Sequence, residues 1–129
     1  MTITPLDQKA YKGQALISLT YDDGDKTNFE VALPLHTEFN IRAGFAIIAK
    51  RTHEPKFWHR YMTSAMVTET SRQGIEIYSH SYSHPRLTEL DAATIEFEMQ
   101  KSREVLEQLI DTNRQKIVSA VCIPYSKTN

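Results

Sequence analysis

The sequence predicts an α/β fold in which parallel strands are covered by helices on the outside. Short runs rich in β-forming residues alternate along the chain with segments of helical periodicity, in the order β-α-β-α-β-α-β. The connections between them are short, and strands joined through helices normally pair in parallel. This pattern is compatible with either an open sheet or a barrel.

Four strands are predicted, and each is bounded by turn-forming or polar residues. The first covers residues 15–20 and lies between Gly13 and an Asp-Asp-Gly turn. The other three predicted strands are residues 43–48, 75–79 and 116–123.

Helices are predicted between these strands. The segment 27–39 is mixed in pattern and contains Pro34, where a helix is expected to start or bend. Thr63 is expected to cap a helix that runs to about Arg72 and is ended by Gly74.

The clearest helical pattern begins after Asp91, which is predicted to be its N-terminal cap. One stripe at helical spacing is predicted to face the core: Ile95, Met99, Ser102, Leu106 and Leu109, widened by Val105 and Ile110. The opposite face is predicted to be solvated and carries Glu96, Arg103, Glu104 and Glu107.

Composition and charge exclude several classes of protein. The chain has 129 residues, enough for one domain, and its 40% hydrophobic and 24% charged residues are typical of a globular protein. The formal charge of −1 gives no sign of nucleic acid or an anionic membrane as a partner. The single cysteine, Cys122, excludes an internal disulfide and is predicted to be an ordinary buried thiol.

No apolar run is long enough to span a membrane, and the N-terminus lacks the basic start and apolar segment of a secretory signal. A cytoplasmic location is therefore expected from the sequence as given. A protein released by its host or carried by a phage would have the same features.

Polar residues follow three of the four predicted strands. The sequence "YDDG" (21–24) follows the first, "HSYSHP" (80–85) the third, and "IPY" (123–125) the fourth. In parallel α/β folds, functional sites form where the C-terminal ends of the strands meet. The three stretches are therefore predicted to converge on one pocket.

The second of these stretches contains a pair of histidines with metal-ligand spacing. His80 and His84 are four residues apart, so two imidazoles can reach one ion from a turn. Such a pair alone is commonly a surface coincidence. A carboxylate from another strand end would complete an open site of two histidines and one acid, which leaves positions for water and substrate.

Asp22 and Asp23 allow a division of labour at such a site. Adjacent residues on an extended segment point to opposite sides, so the two carboxylates cannot bind one metal in the same way. One can be a ligand while the other acts as a general base toward the attacking water. The alternative is that Asp-Asp-Gly only forms a turn.

With these residues assembled, the sequence resembles the polysaccharide deacetylase family (NodB-homology domain, carbohydrate esterase family 4). The first motif of that family is typically T-F-D-D-G, and residues 20–24 read "TYDDG". The second is H-[ST]-x-x-H, and residues 80–84 read "HSYSH". The resemblance covers roughly residues 14–129, with the motifs in the family's order and spacing.

The resemblance implies a distorted (β/α) barrel that removes acetyl groups from N-acetylated sugars in peptidoglycan, chitin or related polymers, and so hydrolyses non-peptide carbon–nitrogen bonds. It implies that Asp23, His80 and His84 bind a divalent metal, usually zinc. It makes Asp22 the base that activates water. The backbone N–H of Tyr125 would donate to the oxyanion, a contact worth on the order of 3 kcal/mol in the barrier.

The sequence departs from the family in two respects. The third motif of the family is often R-x-P-Y, with an arginine that steadies the catalytic aspartate. Residues 122–125 read "CIPY", so Cys122 stands in place of that arginine. Family domains are longer, and a histidine beyond the third motif protonates the leaving amine, whereas no histidine follows His84 here. The upstream His36, His53 and His59 are expected to be surface or loop residues.

Residues 1–129 are therefore interpreted as a single, incomplete deacetylase-like domain, a partial (β/α) barrel. Four strands cannot close a barrel, so a pairing edge would be exposed. Self-association, a completing chain, or truncation would account for it.

Three functions remain open from the sequence. The first is a metal-dependent deacetylase, slowed by the missing general acid, since such groups typically contribute 10² to 10⁴-fold. The second is a non-catalytic metal- or glycan-binding remnant. The third is an assembly module of a larger machine.

Overall fold

A three-stranded parallel sheet lies at the centre of the protein. The computed structural model describes residues 17–113, 115 and 117–126. Within them, β1 (Thr20–Tyr21), β2 (Gly44–Ile47) and β3 (Glu76–Ser79) pair in that order. Both pairings are parallel, with Thr20 opposite Gly44 and Ile77 opposite Phe45. The predicted second and third strands are thus confirmed almost to their ends.

The first predicted strand is shorter than expected. Pairing with β2 is confined to Thr20 and Tyr21, and residues 17–19 precede the strand without belonging to it. Residues 15 and 16 of the prediction lie outside the described part of the chain.

The fourth predicted strand is wrong in extent. A parallel bridge joins Ser79 to Val121, where Ser79 N–H donates to the Ala120 carbonyl (2.9 Å) and Cys122 N–H to the Ser79 carbonyl (2.8 Å). Beside Ile77, the Gln115 side chain takes the place of the predicted fourth strand. The Gln115 amide accepts from Ile77 N–H (2.9 Å) and donates to the Ile77 carbonyl (2.8 Å). The ladder positions of Ile77 are therefore taken by an amide group, and residue 116 lies outside the described range.

The helices begin and end close to where the sequence predicts. A π-helical turn, Asn28–Ala32, leads into α1 (Leu33–Phe39), with Pro34 in the first turn. In α2 (Ser64–Arg72), the Thr63 hydroxyl accepts from Met66 N–H at 3.3 Å. Gly74 follows α2 with a φ of 95°, as expected of a glycine after a helix.

The third helix, α3 (Ala92–Glu107), is capped by Asp91, whose carboxylate accepts from Thr94 N–H at 2.7 Å. Its predicted core face is only partly correct. Ser102 and Leu106 are fully buried, but Ile95 and Met99 are half-buried and the third buried residue is Glu98. The buried face of α3 is therefore rotated from the predicted stripe toward Glu98. The predicted solvated face is exposed at Glu96, Arg103 and Glu104, while Glu107 is half-buried and accepts from Val118 N–H at 3.2 Å.

The hydrophobic core lies on both sides of β2. All four residues of β2 are buried, which is typical of a parallel strand covered on both faces. The core contains Phe45, Ile47, Met62, Val67, Ile77 and Leu106, each with an exposure of 1% or less. Burial of such side chains stabilises a fold by roughly 1.5–3 kcal/mol each. Within the described ranges, no helix has the length and apolar character needed to cross a membrane.

One histidine prediction is wrong. His36 is 6% exposed on α1, because both ring nitrogens have partners inside the protein. Nδ1 lies 2.9 Å from the Ile41 carbonyl oxygen and Nε2 lies 3.0 Å from the Tyr21 hydroxyl. A fully hydrogen-bonded imidazole can be buried at little cost. His53 and His59 are exposed, as predicted.

Candidate metal centre

Three side chains meet at the C-terminal edge of the sheet. Asp23 Oδ1 lies 3.3 Å from His80 Nε2 and 3.3 Å from His84 Nε2. The two Nε2 atoms are 3.1 Å apart. Asp23 follows β1 and the histidines follow β3, so the predicted convergence of these strand ends is present in the structure.

The ring of His80 is fixed by a backbone carbonyl. Its Nδ1 lies 2.8 Å from the carbonyl oxygen of Cys122, and the residue is 3% exposed. A carbonyl oxygen only accepts, so Nδ1 carries the proton and donates. The other nitrogen, Nε2, then presents its lone pair to Asp23 and His84, which is the arrangement typical of a metal-binding histidine.

The environment of His84 favours the neutral imidazole. Its ring lies between those of His80 and Tyr125, with centroid distances of 4.7 Å to each. Burial lowers the pKa of His84, and the neighbouring His80 lowers it further, while the charge of Asp23 acts in the opposite direction. Only a neutral imidazole has the lone pair that a metal requires.

Unusual backbone conformations are concentrated here. Among the described residues, five other than glycine have a positive φ, and four of them lie at this site: Asp23 (69°), Ser81 (61°), His84 (68°) and Tyr125 (62°). Such conformations are uncommon and tend to occur at functional sites. Gly24 also has a positive φ of 69°, and a Cβ there would lie 3.0 Å from Ile47 Cδ1. Both the backbone conformation and the limited space therefore favour glycine at this position of the motif.

The loop between the two histidines is held from two sides. The end of β2 and the residues after it contribute backbone hydrogen bonds: His80 N–H donates to Ile47 (3.0 Å), and Lys50 N–H donates to Tyr82 (2.9 Å). On the other side, the Glu98 carboxylate of α3 accepts from Tyr82 and Ser83. The sequence predicts neither contact. Spacing could have indicated Glu98, because it lies one helical turn before the predicted core residue Ser102.

Asp22 and Tyr125 lie near His84: the Tyr125 ring centre is 4.7 Å from that of His84, and the charge of Asp22 acts on the pKa of His84. The Asp22 carboxylate is exposed, and its charge contributes to raising the pKa of the Cys122 thiol, after burial, which is the larger cause. Cys122 is half-buried, less than predicted. Tyr125 belongs to the short 3₁₀ turn Pro124–Ser126, and the Arg86 guanidinium lies 5.2 Å from its ring centre.

The donor set fits a divalent cation. Ligand atoms about 2.0–2.1 Å from a tetrahedral metal lie about 3.3 Å apart, and the three atoms here are separated by 3.1–3.3 Å. One carboxylate oxygen and two imidazole nitrogens suit zinc and other first-row divalent ions. Among the described residues, these three form the group with metal-ligand spacing.

The described residues form a parallel α/β sheet with outer helices and an Asp-His-His cluster at the strand ends, a candidate metal centre. Comparison with known proteins identifies its class. The polysaccharide deacetylase family profile matches residues 9–129, so the chain belongs to the polysaccharide deacetylase family.

The individual relatives are distant and longer. A chitin deacetylase of Arthroderma benhamiae is 28% identical over 112 residues, which cover 87% of this chain and 29% of that protein. A bifunctional xylanase/deacetylase of Pseudobutyrivibrio xylanivorans is 29% identical over 84 residues, covering 65% of this chain and 13% of the relative. The chain thus spans less than a third of either protein.

Solved structures show the same fold. The deacetylase PplD of Streptococcus pyogenes, solved in complex with acetate, superposes with a TM-score of 0.78 over 98% of this chain and 56% of that one. At 21% identity this likeness establishes the fold alone. The fold predicted from the sequence, a partial (β/α) barrel with parallel strands and outer helices, is confirmed.

Proposed function

We propose that this protein is a metal-dependent hydrolase that removes N-acetyl groups from glycans built of N-acetylglucosamine, of the chitin or peptidoglycan type. The observation that carries the proposal is the meeting of Asp23, His80 and His84 within 3.1–3.3 Å in a chain of the polysaccharide deacetylase family. The chitin deacetylase among the relatives supports an N-acetylglucosamine polymer as substrate.

Asp23, His80 and His84 would hold the cation, with zinc the metal that this donor set favours. When bound, the metal supplies Lewis acidity, which polarises the acetamide carbonyl and makes water easier to deprotonate. The protein itself holds the two histidine ligands in the protonation states that can bind a metal. The Cys122 carbonyl fixes the tautomer of His80, and burial keeps His84 neutral.

Asp22 would accept the proton of the water that attacks the acetamide carbon. The backbone N–H of Tyr125 would donate to the oxygen that becomes negatively charged in the tetrahedral state, and such a donor is worth about 3 kcal/mol. When the carbon–nitrogen bond breaks, the proton held by Asp22 can pass to the leaving amine. The products are acetate and a free amino sugar.

Release of acetate from N-acetylglucosamine oligomers tests this proposal. We expect slow release that stops when a chelator removes the metal and when His80→Ala removes a ligand. His59→Ala is the matched control, because His59 is exposed and lies outside the cluster, and it should keep the activity. Acetate can be measured by an enzyme-coupled assay or by NMR.

Protein that carries one cation per chain and still releases no acetate from any of these oligomers would refute the deacetylase function. That result would favour the non-catalytic alternative, a module that binds metal or glycan without turnover. Protein that binds no cation at all would refute the deacetylase function and a metal-binding module, and would leave a module that binds glycan alone.

A further inference from the structure

We propose that Glu98 is a positioning residue for the metal centre: it holds the loop between His80 and His84 in the conformation that brings the two imidazoles together. The inference rests on the proposed function in so far as the imidazoles bind a metal. Glu98 lies on α3, and its hydrogen bonds are with Tyr82 and Ser83 rather than with the candidate ligands. Its role would be exerted through Tyr82 and Ser83.

Glu98 is a buried carboxylate that receives three hydrogen bonds from this loop. Its Oε2 accepts from the backbone N–H of Tyr82 (2.9 Å) and of Ser83 (2.8 Å). Its Oε1 accepts from the Ser83 hydroxyl at 2.6 Å. Glu98 is 5% exposed, and a carboxylate is rarely buried to this degree unless its oxygens are satisfied. The loop and the helix therefore satisfy each other's polar groups.

A second contact from the same helix face is made with Ser79, at the start of the loop. Ser102, one turn after Glu98, lies 2.7 Å from the Ser79 hydroxyl. The Ser79 oxygen accepts from Ser81 N–H (3.2 Å), and the Ser81 hydroxyl accepts from His84 N–H (3.0 Å). Glu98 and Ser102 thus form a polar clamp on α3, defined here as these two side chains, that contacts Ser79, Tyr82 and Ser83 directly. Ser81 and His84 are held within the loop by the Ser79 and Ser81 hydroxyls.

The loop needs this support because its conformation is intrinsically unfavourable. Ser81 and His84 both have positive φ values, of 61° and 68°. Residues other than glycine adopt this region only when the surrounding structure holds them there. Without the Glu98 carboxylate, the backbone N–H groups of Tyr82 and Ser83 would lose the acceptor that stabilises this conformation. The two Nε2 atoms, now 3.1 Å apart, would then be free to separate.

Two substitutions separate hydrogen bonding from charge and volume. Glu98→Gln keeps the shape and can satisfy the same partners, because its carbonyl oxygen can accept both N–H groups and its amide can donate to the Ser83 hydroxyl. Glu98→Met keeps the length and helix propensity but removes every acceptor. Glu96→Met is the matched control, since Glu96 lies on the exposed side of α3 and accepts from Gln100.

Metal affinity and amide hydrogen exchange are measured on the full chain. Cobalt(II), which reports ligation through its absorption spectrum, and zinc in competition with it are the probes. We expect Glu98→Met to weaken metal binding by about 10- to 100-fold, the range found when residues supporting metal ligands are changed. Glu98→Gln should stay within a few-fold of the original protein, and Glu96→Met should be unchanged. In metal-free protein, the amides of Tyr82 and Ser83 should exchange faster in Glu98→Met than in Glu98→Gln.

Unchanged metal affinity and unchanged exchange in a folded Glu98→Met protein would overturn the proposal, and so would a loss of affinity in Glu98→Gln as large as that in Glu98→Met. If Glu98→Met does not fold, Ser83→Ala, which removes one of the three donors, is subject to the same criteria on a smaller scale. If the original protein binds no metal, the proposed function fails, while the exchange rates of Tyr82 and Ser83 still decide whether Glu98 holds the loop.

Discussion

At the residue scale, the site depends on polar side chains whose partners are far away in sequence. Asp23, His80 and His84 could be predicted, because each follows a recognisable strand and has the chemistry of a ligand. The spacing of Glu98 from Ser102 indicates a core position, but its loop partners could not be predicted, and neither could the burial of His36, because a buried polar group is identified by its tertiary partner. Nothing in the sequence joins His36 to the Tyr21 hydroxyl, or Glu98 to the N–H groups of Tyr82 and Ser83.

The two adjacent aspartates give a prediction at this scale. Asp23→Asn should weaken metal binding, because an amide oxygen is a poorer ligand than a carboxylate. Asp22→Asn should leave metal affinity nearly unchanged but lower the rate of acetate release by about 10² to 10⁴-fold, the usual contribution of a general base. Metal titration and acetate release, measured on both proteins, test the division. Equal loss of metal affinity in the two variants would contradict it.

At the element scale, α3 links local sequence signals to the site. Its start was predictable, because Asp91 caps it through Thr94 as the sequence indicates. Its buried face was only partly predictable: Ser102 and Leu106 are buried as expected, whereas Ile95 and Met99 are half-buried and Glu98 is buried. The predicted fourth strand is shorter than expected because a side chain takes its place: the Gln115 amide occupies the hydrogen-bonding positions of Ile77 that a continuous strand would need.

The cap of α3 gives a pH prediction. Hydrogen bonds from the side chain and the backbone N–H of Thr94 lower the pKa of Asp91 below its ordinary value of 3.8. A carboxyl whose pKa is lower in the folded protein contributes stability above the unfolded pKa and loses it as the pH falls through the folded value. Asp91→Asn also caps a helix but does not titrate.

The original protein should therefore lose free energy of unfolding relative to Asp91→Asn as the pH is lowered from about 6 toward and below the ordinary aspartate pKa of 3.8. Urea denaturation of both proteins across this range measures the difference, and all other titrating groups cancel in the comparison. Parallel pH profiles would show that the Thr94 contacts do not stabilise the charged form.

At the scale of the whole molecule, exposed apolar residues lie next to both edge strands of the described sheet, β1 and β3. Ile17 (85% exposed) and Leu19 (38%) precede β1, and Val121 (45%) and Ile123 (36%) lie beyond β3. An open parallel sheet leaves backbone groups and apolar side chains without neighbours. The chain spans 56% of the length of the superposed deacetylase.

We therefore expect these surfaces to be covered, either by a second copy of the chain or by a chain that completes the barrel. Sedimentation velocity of the isolated protein at micromolar concentration distinguishes the outcomes. A concentration-dependent dimer is expected if the chain covers its own edges. A well-folded monomer that binds no further chain would contradict this expectation.

The proposed function depends on a cation held jointly by Asp23, His80 and His84. The most direct measurement is the anomalous difference density of zinc in crystals of the protein grown with that ion. We predict one zinc peak within about 2.0–2.2 Å of Asp23 Oδ1 and of both Nε2 atoms. A fully occupied zinc ion at another place, with these three side chains unliganded, would contradict the account.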